Sequence, residues 1–325
     1  MALRFLYDIK TKINFAQNSS QLKAGIIIKS TGSHYKVLCD DNSVCDCVVR
    51  GNFRIKGTRT TNPVAVGDNV RIDTAKMVIT SLVPRKNYII RRASNLSKES
   101  QIIAANIDQA ILMISLSKPE TPVEFVDRFL ATAEAYRIPA VILINKTDLL
   151  DEEGNAYAAK VKAVYEKIGY KTILASLING AGLQEVTGLM FGKTTLVAGN
   201  SGVGKSSLLN FLDPSLNLKT GEISSYHEQG KHITTFPEMH ILESGARVID
   251  TPGIRGFGVI DFEREEIYHF FPEIFRVSSD CRFHNCLHLS EPGCAVRNAV
   301  ESGQIELWRF RSYISMLLED DLKYR

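Results

Sequence analysis

The sequence predicts an α/β fold built on a P-loop, with a small β-barrel before it and a helical, metal-binding segment after it. Three observations carry this. An apolar, β-prone run at 194–198 leads through GNSGVGKSS, residues 199–207, into a helical run at 208–212; strand, glycine-rich turn and helix N-terminus are the setting of a phosphate-binding loop. Short strands without any helical period occupy much of 25–80. Three cysteines and a histidine fall within residues 281–294.

Composition narrows the class. With 325 residues the chain is long enough for two or three domains, and 44% hydrophobic and 23% charged residues are those of an ordinary globular protein. No apolar run reaches the length of a membrane span, and the first residues lack the basic and apolar regions of a secretory signal, so the expectation is a cytoplasmic protein with no membrane partner. Six cysteines in such a chain are expected as free thiols or metal ligands. The net charge of +3 is unevenly spread: between Arg50 and Arg92 stand ten Lys/Arg against two acids, Asp68 and Asp73.

In chain order, residues 1–22 are an extension that could form a short amphipathic helix. Strands are expected at 25–28, 35–38, 43–49, 69–72 and 77–80, separated by Gly- and Asp-rich turns, which suggests a closed barrel such as an OB-fold over 23–90. Arg50, Phe53, Arg54, Lys56 and Arg59, with Tyr88, suit a phosphate backbone and stacked bases; a solvated basic face is the plainer alternative. Cys39, Cys45 and Cys47 read as buried small hydrophobes. From 91 to 260 strands and helices alternate: strands at 109–115, 140–144, 172–175, 194–198, 239–242 and 247–250, helices at 123–137, 156–168 and 183–190. That alternation predicts a parallel sheet with ligands at the carboxyl ends of its strands. Residues 261–325 are expected as a helical zinc-binding domain, with helical segments at 263–271 and 295–318.

The nucleotide motifs sit at strand ends. Gly199, Gly202 and Gly204 permit φ > 0, so that the N–H groups of Gly199, Asn200, Ser201, Gly202, Val203, Gly204, Lys205, Ser206 and Ser207 can turn towards an anion at a helix N-terminus. Lys205 would reach the β- and γ-phosphates, and the Ser206 hydroxyl would bind Mg²⁺. Gly192-Lys193-Thr194 mimics the end of such a loop but runs into a strand. Asn145-Lys146-Thr147-Asp148 leaves the strand at 140–144. An Asp there accepts from guanine N1–H and the exocyclic amine, donors that adenine lacks; Asn145 can meet the other base edge and the Lys146 stem can cover its face. Ser176 ends the next strand and is placed to contact guanine O6 through its backbone; such loops usually read Ser-Ala, and Leu177 departs from that. In the DTPG at 250–253, Asp250 would hold Mg²⁺ through water and the Gly253 N–H would meet the γ-phosphate. The polar stretch 219–236 fits a switch segment and supplies Thr235 for Mg²⁺. The guanine motif precedes the phosphate loop, the reverse of ordinary GTPases, which implies a circular permutation.

Cys281-x₄-Cys286-x-His288-x₅-Cys294 is a ligand set for one structural zinc, with His284 inside the loop as the lesser candidate. With these motifs in order the chain resembles the RsgA/YjeQ family, bacterial circularly permuted GTPases of small ribosomal subunit maturation, over about residues 23–320. The resemblance implies a GTPase that converts GTP to GDP and phosphate, is stimulated by the small (30S) subunit, contacts 16S rRNA through barrel and zinc domain, and leaves after hydrolysis; a monomer is expected. Ile233 stands where the family commonly has Thr, and Ile254 follows DTPG where Ras-like enzymes carry a water-orienting Gln. An aliphatic side chain cannot orient water, so slow intrinsic hydrolysis is expected, with His232 as the candidate catalytic residue beside Lys205. Two other readings stay open: an RNA-binding assembly factor holding GTP as a static ligand, and a GTPase of translation or tRNA processing.

Overall fold

The computed structural model describes residues 22–49, 63–92, 100–218, 237–250 and 263–318. Arg50, Phe53, Arg54, Lys56, Arg59, His232, Thr235, Gly253 and Ile254 lie outside the described residues.

Five strands form the first layer: β1 (Leu22–Ser30), β2 (His34–Cys39), β3 (Val44–Val49), β4 (Asn69–Asp73) and β5 (Val78–Leu82). They run in the order β1-β2-β3-β5-β4, and β4 pairs back onto β1, so the sheet closes on itself. The β3–β5 pair is parallel and the others antiparallel. This is the five-stranded closure expected of an OB-fold. Alternate residues turn inward, and Ile27, Tyr35, Val37, Val70, Ile72 and Ile79 form the barrel core with Cys39 and Cys47. Both thiols act as small apolar groups, and burial pushes that of Cys47 up to about 11. Tyr88 is exposed, with the Arg85 guanidinium 5.9 Å from its ring.

The hairpin β6 (Tyr88–Arg92) and β7 (Ser100–Ala105), absent from the predicted element list, follows the barrel. The predicted boundary at 90/91 falls inside β6. Then come β8 (Gln109–Ser115), α1 (Val123–Ala135), β9 (Ala140–Asn145), α2 (Glu152–Ile168), β10 (Lys171–Leu174), α3 (Leu183–Met190), β11 (Thr194–Ala198), α4 (Lys205–Leu212), β12 (Glu238–Ile241) and β13 (Arg247–Asp250). β10, β9, β8, β11 and β13 are parallel neighbours in that order. They bury both faces: on β8, Ala110, Leu112 and Ile114 pack under α1 and α2, while Ile111 and Met113 pack under α3 and α4. The expectation of a wholly parallel sheet needs correction, because β12 runs antiparallel to β13. Its free edge meets β1, with Lys29 opposite Glu238 and their side chains 2.8 Å apart, so barrel and α/β sheet form one 11-stranded surface.

The C-terminal layer comprises a 3₁₀ segment (Arg264–Phe270), α5 (Pro272–Ser278), α6 (Ala295–Glu301) and α7 (Leu307–Leu318). The single helical run expected over 295–318 is two helices, interrupted around Gly303, whose φ is +74°. A buried ionic cluster clamps this layer to the sheet domain. Arg309 on α7 donates to Asp127 on α1 at 2.7 Å and to both oxygens of Glu273 on α5 at 2.6 and 3.1 Å. The Tyr165 hydroxyl on α2 also donates to Asp127, at 2.7 Å. Arg309→Met removes the shared cation and leaves two carboxylates buried. Urea unfolding should then show a loss of about 3–5 kcal/mol, and wild-type stability would show that the clamp contributes nothing.

Candidate functional site

β11 ends in the middle of the sheet, between β8 and β13, and the loop at 199–204 carries the chain into α4. Gly199 has φ +142°, and a Cβ on it would stand 2.2 Å from the Met113 carbonyl oxygen of β8. Gly204 has φ +103°, and its Cβ would stand 2.6 Å from Asn145 Nδ2. Gly202, with φ +79°, lies against Pro119. The loop is therefore pressed onto the ends of β8 and β9, with no room for a side chain at Gly199 or Gly204. Val203 is its buried anchor, Ser201 and Gly202 are exposed, and Asn200, Ser206 and Ser207 are half-buried. Lys205 Nζ donates to the carbonyl oxygens of Gly199 and Asn200, each at 2.7 Å, and so spans the mouth of the loop.

The Asn145–Asp148 motif lies beside it. Asn145 Nδ2 donates to the Val203 carbonyl at 2.8 Å, which ties the end of β9 directly to the phosphate loop. Asn145 Oδ1 is buried without a partner among the described residues. Lys146 sits in the left-handed region, φ 66°, and its Nζ donates to the Lys118 carbonyl at 2.8 Å. Thr147 is held by Ala175, whose carbonyl accepts from its N–H and its hydroxyl. Asp148 is exposed, and Ser176 Oγ donates to its Oδ1 at 2.5 Å. Ser176 was expected to act through its backbone; its side chain also orients the carboxylate. Leu177, the departure from Ser-Ala, packs toward the phosphate loop, with Cδ1 3.1 Å from where a Gly204 Cβ would stand.

Sequence reasoning missed the Ser176 hydroxyl, the Lys118 carbonyl and Pro119 as parts of this site. A hydroxyl residue just past a strand adjoining the Asn145 strand was the available signal for Ser176; the other two give none. Asp250 ends β13 and its backbone pairs with Val197, two residues before Gly199, at the same end of the sheet.

Gly204→Ala places a methyl on Asn145 and forces a strained φ. A drop in nucleotide affinity of about tenfold or more is expected by titration with a fluorescent GTP analogue, against a stability loss of about 1–2 kcal/mol. Equal affinity would mean that the loop tolerates separation from β9.

The second cluster is in the C-terminal layer. The ligand atoms of Cys281, Cys286, His288 and Cys294 all lie within 4.8 Å of one another. Cys281 and Cys294 sulfurs are 4.0 Å apart, and His288 Nδ1 is 3.6 and 3.5 Å from them. A tetrahedral zinc with its usual bond lengths has S···S edges of about 3.8 Å and S···N edges of about 3.5 Å, so the residues fit one ion. Burial pushes the Cys286 thiol up to about 12, a cost that a bound dication would reverse by holding the thiolate. His284 is exposed and outside the cluster.

A family profile described as the RsgA GTPase matches residues 82–260, and one for the RsgA N-terminal domain matches 24–77. A Bacteroides fragilis protein named small ribosomal subunit biogenesis GTPase RsgA is 50% identical over 305 residues, covering 93% of this chain and 98% of its own. The chain belongs to the RsgA family of GTPases. A Porphyromonas gingivalis member with the same name is 49% identical over 310 residues, with 93% and 98% covered. Among solved structures, YjeQ from Thermotoga maritima matches with a TM-score of 0.75 at 32% identity, covering 94% of this chain and 99% of that one. YloQ, titled a circularly permuted GTPase, matches with 0.72 at 30%, covering 95% and 98%. Family membership accounts for the reversed order of the nucleotide motifs. Among the described residues no helix is long and apolar enough to cross a membrane.

Proposed function

We propose that this chain hydrolyses GTP to GDP and phosphate in a cycle coupled to the small ribosomal subunit, binding 16S rRNA and leaving after hydrolysis. The observation that carries the reading is the 2.8 Å bond from Asn145 to Val203, because it ties the guanine motif to the phosphate loop at one end of the sheet. Asp148, held by Ser176, accepts from the guanine N1–H and amine; Asn145 and Lys146 line the base. The amides of 199–207 wrap the phosphates, and Lys205 neutralises the β- and γ-oxygens. Ser206, Thr235 and Asp250 would hold Mg²⁺, which supplies charge neutralisation at the phosphates, and Gly253 donates to the γ-phosphate. His232 positions the attacking water once RNA contact orders its surroundings. Cys281, Cys286, His288 and Cys294 hold a structural zinc, and the basic residues Arg50, Arg54, Lys56 and Arg59, with Phe53 for stacking, make the barrel's RNA contacts. The protein works as a cytoplasmic monomer, with the barrel, the nucleotide-binding sheet domain and the C-terminal zinc layer as its functional units. The names of its relatives and the shared architecture support the ribosomal assignment.

The test is GTP turnover with and without isolated small subunits. Stimulation that disappears in Lys205→Ala is expected; turnover no higher than that of Lys205→Ala, with or without subunits, would leave GTP as a static ligand. Full stimulated kcat in His232→Ala would remove the role given to that histidine.

A further inference from the structure

We propose that the C-terminal layer carries a cleft, between α5 and the loop of the cysteine cluster, that takes one unstacked nucleotide of single-stranded RNA. The inference rests on the reading that this chain works on RNA and places a contact of that kind on named side chains. The cleft has a volume of about 670 Å³, enough for a nucleotide, and no Asp or Glu is among its described lining residues. Two phenylalanines line it, from different elements: Phe275 of α5, 51% exposed, and Phe283 of the cluster loop, 40% exposed.

Neither ring is a loose surface residue. Phe275 is braced edge-on by His269 at 5.1 Å and 89°, and by Tyr268 at 6.1 Å. Tyr268 in turn meets the ligand His288 edge-on at 5.4 Å. Phe283 lies two residues from Cys281, and the Arg282 guanidinium sits 5.5 Å from its ring centre. Gly293, with φ +72°, leaves space for the Arg282 stem, since a Cβ there would stand 3.2 Å from Arg282 Cβ. Arg276 and Arg282 are exposed on the lining. Rings held in place before binding lose little freedom when a base stacks on them, and every base has a face to offer. The two guanidinium groups, with no carboxylate among the described lining residues to neutralise them, match the phosphates that flank that base. A hydrophobic peptide would use the rings but leave both arginines without an anionic partner, which is why a nucleotide fits better.

The experiment uses the full-length protein and a fluorescein-labelled single-stranded RNA octamer carrying one 5-iodouracil. Irradiation is expected to join the iodouracil to Phe275, Phe283 or Tyr268, identified by peptide mapping. Phe275→Ala and Phe283→Ala should each weaken octamer binding about tenfold, and Phe275→Tyr should restore it. Arg282→Glu should lower the slope of log Kd against log salt by about one. Phe275→Leu keeps the volume without the stacking face and should behave as the alanine variant; zinc content and the thermal midpoint of each variant report on folding. Cross-links confined to the barrel, with all variants binding as the wild type does, would overturn the proposal. So would variants that keep octamer affinity yet lose affinity for intact small subunits, because the occupant would then be a protein. Subunit-stimulated GTP turnover of the wild type reports separately: its absence removes the ribosomal reading whatever the octamer shows, and its presence with a failed cross-link removes the cleft alone.

Discussion

Asp148→Asn is expected to weaken GTP binding by about two orders of magnitude, the larger part of the discrimination between guanine and other bases. In the proposed site the carboxylate would receive two donors from guanine as charge-assisted bonds, each worth about 1.5–3 kcal/mol. An amide of the same shape keeps one acceptor and turns a donor towards the exocyclic amine, so one bond is lost and two donors face each other. Ser176 Oγ can still donate to the amide oxygen, which leaves the 2.5 Å contact and the local fold in place. The defect should therefore appear in affinity and not in stability. Xanthosine triphosphate carries an acceptor where guanine has its amine, and the variant should bind it better than the parent does. Fluorescence titration with both nucleotides checks this; unchanged GTP affinity would show that Asp148 does not read the base. Ser176→Ala should fall between, at about fivefold weaker binding, because the carboxylate keeps its charge but loses its orientation.

Loss of the proposed zinc is the second large effect expected. The buried core of the C-terminal layer is small, and Cys286 and Cys294 are part of it beside Phe271, Ile274, Val296 and Tyr313. Structural zinc contributes about 10–16 kcal/mol to folding in small zinc peptides, more than a core of that size supplies. Chelation, or Cys294→Ser, should therefore unfold residues 263–318 as one unit, read as loss of amide hydrogen-exchange protection across that range. The central strands have their own core of Leu112, Ile142, Leu196 and Ile249 and should keep their protection. GTP affinity should change by no more than about twofold, since none of the cluster's ligands touches the nucleotide motifs. Protection that survives chelation would mean that the Arg309 clamp and the helices suffice without an ion.

Where function depends on neighbours in the chain, the residues announce it. The glycines at 199, 202 and 204, the Asn145–Asp148 string and the Cys/His spacing each encode a local geometry, and each lies where its motif implied: loop, strand end and compact cluster. The barrel was legible for a related reason, because short β-prone runs without a helical period, set between turn residues, define strands before any partner is known. Contacts across the chain left no such mark. The bond from Ser176 to Asp148 joins positions 28 apart, that from Asn145 to Val203 positions 58 apart, and that from Arg309 to Asp127 positions 182 apart. Nothing in the sequence singled out Arg309 from the other cations, since its burial arises only when α1, α5 and α7 converge. The pairing of β12 with β1 is of the same kind. Strand edges choose partners by sheet geometry, so the short β-prone run at 239–242 revealed a strand but neither its direction nor the barrel on its far side. By itself the sequence determined which chemistry the chain holds, because ligand identity and local spacing suffice for that. Only the tertiary structure decided how the guanine motif, the phosphate loop and the cysteine cluster are braced, because bracing is the work of residues that meet only once the chain has folded.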